Sequence, residues 1–238
     1  MQFYGLMVTA GIVMGGIWAE KIRKRQNLKI SVWDALVWVV IPGVIGARLY
    51  HVIDWWEYYR QNSLLIPAVW TGGLGIFGAI GGGVGGLWWF TKRYKQDFLS
   101  WLDLVGVGAP LGQAIGRWGN FFNQELYGRQ TNLPWGIYIE RENGYFHPLF
   151  LYESVWNLVV FGVVWWLLRF WGKLKTGSFF AIYLLGYSAG RLILESLRVG
   201  NWQVGGVAVA QAVSLILVVL SWIWLWKSNK WRLNFRLG

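Results

Sequence analysis

Cysteine is absent from the 238-residue chain. That excludes disulfides, thiolate metal sites and a thiol nucleophile carried by the protein itself, so any thiol chemistry must arrive with a substrate. Charge is scarce too: 14% of residues are charged, against about a quarter in ordinary soluble domains. Histidine is limited to His51 and His147, which share no metal-ligand spacing, and neither a metal nor a cofactor is expected. No basic leader precedes the first apolar run and no small-residue cleavage site closes it, so Phe3 to Ala19 is expected to stay as a span. No soluble domain or long linker interrupts the chain.

What remains is apolar. Hydrophobic residues make up 55% of the sequence and 20 residues are tryptophan, a membrane-protein composition. Runs near 20 residues predict seven transmembrane helices, at about 3–19, 32–53, 67–90, 98–116, 148–170, 178–197 and 204–226. The expected fold is an all-α bundle forming one transmembrane domain over 1–238. The formal charge of +11 suggests nucleic acid at first sight, but its distribution marks topology, and no nucleic-acid partner is expected. Segments 21–29, 92–95, 169–175 and 227–236 hold five, three, three and four basic residues. The positive-inside rule makes these cytoplasmic, with the N-terminus outside and the C-terminus inside.

All nine lysines then fall on the inner side. The basic residues left in outer loops or at outward helix ends are Arg48, Arg60, Arg117, Arg129, Arg141, Arg191 and Arg198, every one an arginine. Lysine would set topology equally well, whereas a guanidinium forks onto a phosphate and stays charged when partly desolvated. The outer face therefore reads as built for an anion. "IGAR" (45–48), "AIGR" (114–117) and "SAGR" (188–191) each put an arginine near the outward end of an even-numbered helix. The longest outer segment, 117–147, carries turn signals in "TNLPWG" and "RENG" and is expected to form a small extracytoplasmic cap.

Three stretches carry candidate chemistry. "GRLILESLR" places Arg191, Glu195 and Arg198 on one helical face. Ionisable groups at membrane depth are functional suspects, although an Arg191–Glu195 packing pair is the structural alternative. At ~1.5 Å per residue, Arg191 lies roughly 20 Å outward of Ser178, in the outer half of the hydrocarbon layer. "GRWGNFFNQELYG" (116–128) follows an apolar helix with Arg117, then Asn120, Asn123 and Glu125 spaced by glycines that permit a turn or close ligand approach. "TGGLGIFGAIGGGVGG" (71–86) suits close helix packing through Gly78 to Gly86. For Gly72 and Gly73, packing and an exposed backbone beside a headgroup both remain open, as do acid, base, donor and structural roles for His147.

These residues together resemble the bacterial prolipoprotein diacylglyceryl transferase family. The signature-like "GRWGNFFNQELYG" is accompanied, in order along the chain, by "FYGLM" (3–7), "DALVWVVIPGVIGARLYHV" (34–52), "GGL" (72–74), "HPLFLYE" (147–153) and "GRLILESLR" (190–198). The resemblance implies a seven-helix enzyme of the bacterial cytoplasmic membrane with its active site toward the extracytoplasmic side. Such an enzyme moves the diacylglyceryl group of phosphatidylglycerol, a membrane lipid, to the lipobox cysteine of a prolipoprotein signal peptide, forming a thioether and releasing glycerol phosphate. Position by position it implies roles for Tyr4, Arg117, Asn120, Glu125, Arg191, Glu195 and Arg198, with Arg48 and His147 in matching motifs.

The chemistry of such a transfer suits the residues. Charge growing on a departing phosphate needs preorganised cations, for which Arg117 and Arg191 are the candidates, with Glu195 orienting Arg191. Glu125 or His147 is the candidate for assisting thiol deprotonation. Tyr4, Arg48, Gly72, Gly73, Asn120, Asn123 and Arg198 are the candidate substrate-binding residues. Thr71 and Phe77 stand where many relatives carry histidine, and Leu149 and Phe150 where Ser and Gln are expected. A small transporter or channel for an anionic solute is the competing reading, but the paired halves of a secondary transporter are not seen. A structural assembly protein is the third.

Overall fold

The computed structural model describes residues 2–200 and 202–234. It is mostly helical, with α1 (Gln2–Arg25), α2 (Val32–Asp54), α3 (Trp56–Gln61), α4 (Ile76–Arg93), α5 (Phe98–Gly116), α6 (Trp118–Phe122), α7 (Leu149–Leu167), α8 (Ser178–Glu195) and α9 (Val209–Asn234). Two short hairpins complete it: β1 (Ile137–Ile139) with β2 (Gly144–Phe146), and β3 (Gln203–Val204) with β4 (Val207–Ala208). Five helices, α1, α2, α5, α7 and α9, are long and apolar enough to cross a membrane. α4 and α8 reach 18 residues each but are less apolar: one is glycine-rich and ends in Lys92 and Arg93, the other carries Arg191 and Glu195.

Two expected boundaries move. The third long helix starts at Ile76 and not near 67, because Gly72 and Gly73 take positive φ (88° and 70°), which a right-handed helix cannot run through. Residues 69–71 form only a 3-10 turn. The last helix begins at Val209 and not at 204, since Gly205 and Gly206, also at positive φ, turn β3 back onto β4.

The chain divides into two compact units, one from Arg23 to Trp101 and one joining the chain up to Ile22 with everything from Leu102 onward. Within the first, α2 and α4 meet along a glycine seam. A Cβ on Gly78 would sit 2.1 Å from the Gly46 carbonyl oxygen, and one on Gly82 2.1 Å from that of Pro42. Pro42 has no N–H to give the carbonyl four residues earlier, that of Trp38. Gly86 packs directly on that carbonyl, where a Cβ would lie at 1.9 Å. Small residues let backbones approach where lipid supplies no hydrophobic drive between helices.

The second unit uses the same device, with Gly11 and Gly15 of α1 against Gly112 and Gly108 of α5. Polar groups fasten its remaining helices. Buried Ser154 of α7 donates to the Ala114 carbonyl at 2.8 Å. Buried Asp103 of α5 accepts the N–H groups of Gly177 (2.7 Å) and Phe180 (2.9 Å), capping the start of α8 from a neighbouring helix. That cap fixes the origin from which α8 projects Arg191.

Candidate functional site

The second unit gathers five ionisable side chains from three sequence segments. Arg117 follows α5, Glu153 lies in the second turn of α7, and Arg191 and Glu195 occupy the last turns of α8 with Arg198 just beyond. Glu153 bridges two guanidiniums: its Oε2 lies 2.8 Å from Arg117 Nε, and its Oε1 accepts from Arg191 Nη1 at 2.8 Å. Arg191 Nη2 turns to Glu195 Oε2, also at 2.8 Å. Arg198 Nη1 stands 4.0 Å from that same oxygen. Three cations thus face two carboxylates, and the site keeps a positive excess.

Water is largely excluded from these groups. The side chains of Glu153 and Glu195 are 10% and 3% exposed, those of Arg117, Arg191 and Arg198 between 16% and 20%. Burial, reinforced by the nearby charge of Arg191, holds the Arg198 guanidinium below its usual pKa; it still has no neutral form near pH 7. Arg117 engages Glu153 through Nε alone, leaving its terminal amino groups without a partner among the described residues. Such a fork suits a tetrahedral oxyanion.

Glu153 is the residue that sequence reading passed over. It is the single charged residue of α7, and its signal was available: a carboxylate inside an apolar span needs a cationic partner. Below it, Asn157 donates to the Glu153 carbonyl at 2.7 Å, so its Oδ1 points away as an acceptor without a partner among the described residues.

The signature segment folds as a compact knot beside Arg117. α6 is a single turn entered through Arg117, whose carbonyl accepts the Asn120 N–H at 3.1 Å. Gln124 and Leu126 adopt positive φ (49° and 56°), reversing the chain so that the Asn120 amide donates to Glu125 Oε1 at 2.9 Å. Asn120 is buried and Glu125 exposed. Asn123 closes α6 through its backbone N–H on Gly119. Gly119 is required by its neighbour: a Cβ there would lie 2.8 Å from the ring of Tyr4 in the first turn of α1.

A backbone ladder ties this segment to the end of α8. Gly128 N–H donates to the His147 carbonyl (2.9 Å), His147 N–H to that of Arg129 (3.0 Å), and Arg129 N–H to that of Leu197 (2.8 Å). His147 is half-buried, with Nδ1 3.1 Å from the Tyr152 hydroxyl, which accepts from Trp135 Nε1 at 2.8 Å. Further out, Tyr127 donates to Glu142 at 2.8 Å, and that bond raises its phenol pKa and keeps it neutral.

Other candidates lie in the first unit and do different work there. Arg48, 5% exposed, spends its donors on backbone carbonyls: Nε on Ile66 (2.8 Å), Nη1 on Gly72 (2.6 Å) and Gly73 (3.2 Å), and Nη2 on Leu65. It also lies over the Tyr59 ring at 5.0 Å. Its geometry is that of a loop clamp holding 65–73, and not of an open anion fork. Gly73 sits against His51 and Arg48, where a Cβ would come within 2.4 Å of the imidazole; Gly72 is exposed.

Comparison with known proteins shows the family. The profile of the family described as "Prolipoprotein diacylglyceryl transferase" matches residues 1–227. The chain is similar to the phosphatidylglycerol--prolipoprotein diacylglyceryl transferase of Acaryochloris marina, 40% identical over 96% of this chain and 89% of the relative. Those of Synechocystis sp. (38% identical; 96% and 87%) and Gloeobacter violaceus (39%; 97% and 89%) match in the same way. An anion transporter is not favoured by these matches. Profile and relatives alike run nearly end to end along the sequence, and the chain belongs to the prolipoprotein diacylglyceryl transferase family.

Proposed function

We propose that this protein transfers the diacylglyceryl group of phosphatidylglycerol to the lipobox cysteine thiol of a prolipoprotein, the first step of lipoprotein lipidation. The observation that carries the reading is the Glu153 bridge, which brings Arg117 and Arg191 onto one carboxylate and fixes the span of a phosphate clamp. The relatives named above are transferases of this class.

The reaction is a displacement at an sp³ carbon. Thiolate sulfur forms a bond to the glyceryl carbon as the carbon–oxygen bond breaks, and the electron pair leaves with the phosphate. Glycerol phosphate departs with one more negative charge than the ester bore. Arg117 and Arg191 neutralise that growing charge in a poorly hydrated site, where each positioned donor contributes strongly. Glu195 holds Arg191 in its fork orientation, and Arg198 adds the excess positive charge that draws the headgroup in. Glu125, exposed and hydrogen-bonded to Asn120, takes the thiol proton; His147 donates to the departing oxygens. Tyr4 and Asn123 shape the outer wall of the signature knot, while Arg48 with Gly72 and Gly73 shapes the 65–73 loop.

In this reading the chain makes seven spans of the bacterial cytoplasmic membrane, N-terminus outside, as one transmembrane domain with 117–147 as an extracytoplasmic cap. The partition of lysine from arginine and the 18-residue lengths of α4 and α8 support that arrangement. The test is direct. Purified protein incubated with phosphatidylglycerol and a lipobox peptide should add the diacylglyceryl mass to the peptide, and serine in place of the cysteine should abolish the product. No added mass with the cysteine peptide overturns the reading.

A further inference from the structure

A groove of about 370 Å³ runs between α7 and α8. Val155, Trp156 and Val159 line it from α7, and Gly190, Ile193 and Leu194 from α8. Val155 and Val159 are each 53% exposed and Ile193 60%, so the groove opens on the apolar flank of the helix pair. A much smaller void, about 10 Å³, touches Arg117, Glu153, Asn157 and Arg191, and it shares Trp156, Gly190 and Leu194 with the groove. The charged clamp and the apolar groove therefore adjoin across one indole.

That indole is held along its Nε1 edge. Trp156 Nε1 donates to the Gly186 carbonyl at 2.8 Å, and Gly190 has no side chain to displace it: a Cβ there would lie 2.1 Å from Nε1. The ring can stand between clamp and groove only because residue 190 is glycine.

We propose that this groove seats one acyl chain of the lipid whose phosphate binds Arg117 and Arg191, a subsite that rests on the transfer reading above. A lipid held at its phosphate has its chains tethered next to the site, and one shared wall leads from the clamp to hydrocarbon. From the turn holding Glu153, the groove continues along α7 toward Val159, away from the outward end of α8. From Leu151 to Val159 it covers ~12 Å of helix, enough for the proximal half of a chain. Moving a chain from bilayer to groove exchanges one hydrocarbon contact for another, so little affinity is gained. What the groove supplies is orientation: a chain fixed below and a phosphate fixed above set the angle at which the glyceryl carbon meets sulfur.

The test is an internal competition. Wild-type protein in nanodiscs receives an equimolar mixture of dihexanoyl and dioleoyl phosphatidylglycerol with a lipobox peptide, and mass spectrometry reads the ratio of the two thioether products. Val155→Trp and Val159→Trp, which fill the groove, should shift that ratio toward the short-chain product by about tenfold. Leu158→Trp, exposed on the same helix but outside the groove, should leave it unchanged. An unshifted ratio in the groove variants overturns the subsite, whereas no product from wild type with either donor overturns the transfer reading itself. A second measurement uses the unaltered protein: a phosphatidylglycerol with a photoreactive mid-chain group should label peptides containing Val155, Val159 or Ile193 more than the phosphatidylethanolamine analogue does. Equal labelling by both means that the groove holds bulk lipid, and the subsite falls, whatever the variants yield.

Discussion

Glu153 Oε2 lies 2.8 Å from Arg117 Nε, joining the residue that follows α5 to the second turn of α7. Because the other oxygen of the same carboxylate holds Arg191, removal of this one acid leaves Arg117 without its carboxylate and Arg191 with Glu195 alone. Glu153→Gln should destabilise the fold by roughly 3–5 kcal/mol, since breaking a buried pair leaves charge uncompensated. The clamp geometry should be lost with it, lowering kcat/KM for thioether formation. Thermal unfolding and the peptide assay check both, and an unchanged Tm with unchanged turnover rejects the bridge.

Arg191→Lys keeps the charge but replaces a fork that spans Glu153 and Glu195 with a single ammonium. Arg117→Lys loses the Nε contact while keeping the cation. Each should reduce kcat by about 10²–10³-fold, the range for removing one preorganised donor. Thioether formation in reconstituted membranes is the measurement. Full activity in both lysine variants refutes forked phosphate recognition.

Glu125→Gln tests the route of the thiol proton. Without a base, the reaction depends on thiolate already present, so the rate of this variant should climb with pH toward the ordinary thiol range near about 8.5. Wild type should respond less steeply over the same interval. Parallel pH–rate curves for wild type and Glu125→Gln remove Glu125 from the role, and the same comparison with His147→Asn then decides on histidine.

Arg48→Gln removes the clamp on the carbonyls of Leu65, Ile66, Gly72 and Gly73. Amide hydrogen exchange should accelerate within 65–75 while exchange in the middle of α2 stays slow. If exchange in that loop does not change, the hydrogen-bonding role assigned to Arg48 is wrong.

The glycine seam gives a paired test. Gly82→Ala would push a Cβ to 2.1 Å from the Pro42 carbonyl oxygen, and overpacking of this kind costs about 1–3 kcal/mol. Gly81 and Gly85, on the same helix, have open space where a Cβ would stand, with nothing within 4 Å, so Ala there should be neutral or stabilising by roughly 0.5–1 kcal/mol. Thermal unfolding should rank Gly82→Ala lowest; equal Tm values for the three variants contradict the seam.

How much was legible in advance follows from which interactions are local. Helix existence was readable because a span must satisfy its backbone hydrogen bonds within itself, so a run of apolar residues near 20 is sufficient signal. The starts of α4 and α9 were not, because they depend on glycines adopting positive φ, a choice that an apolar count does not register. The pairing of Arg191 with Glu195 was visible as an i, i+4 spacing on one helix.

Composition and spacing alone settled that every basic residue outside the four lysine-bearing segments is an arginine, and that Arg191, Glu195 and Arg198 share one helical face. Only the tertiary structure decided which cations meet. Glu153 of α7, far from both partners in the chain, draws Arg117 and Arg191 together, while Arg48, in a similar four-residue context, turns to the carbonyls of its own unit. The physical reason is that a buried guanidinium must find acceptors wherever the fold supplies them, and packing sets whether those acceptors are a carboxylate or the backbone.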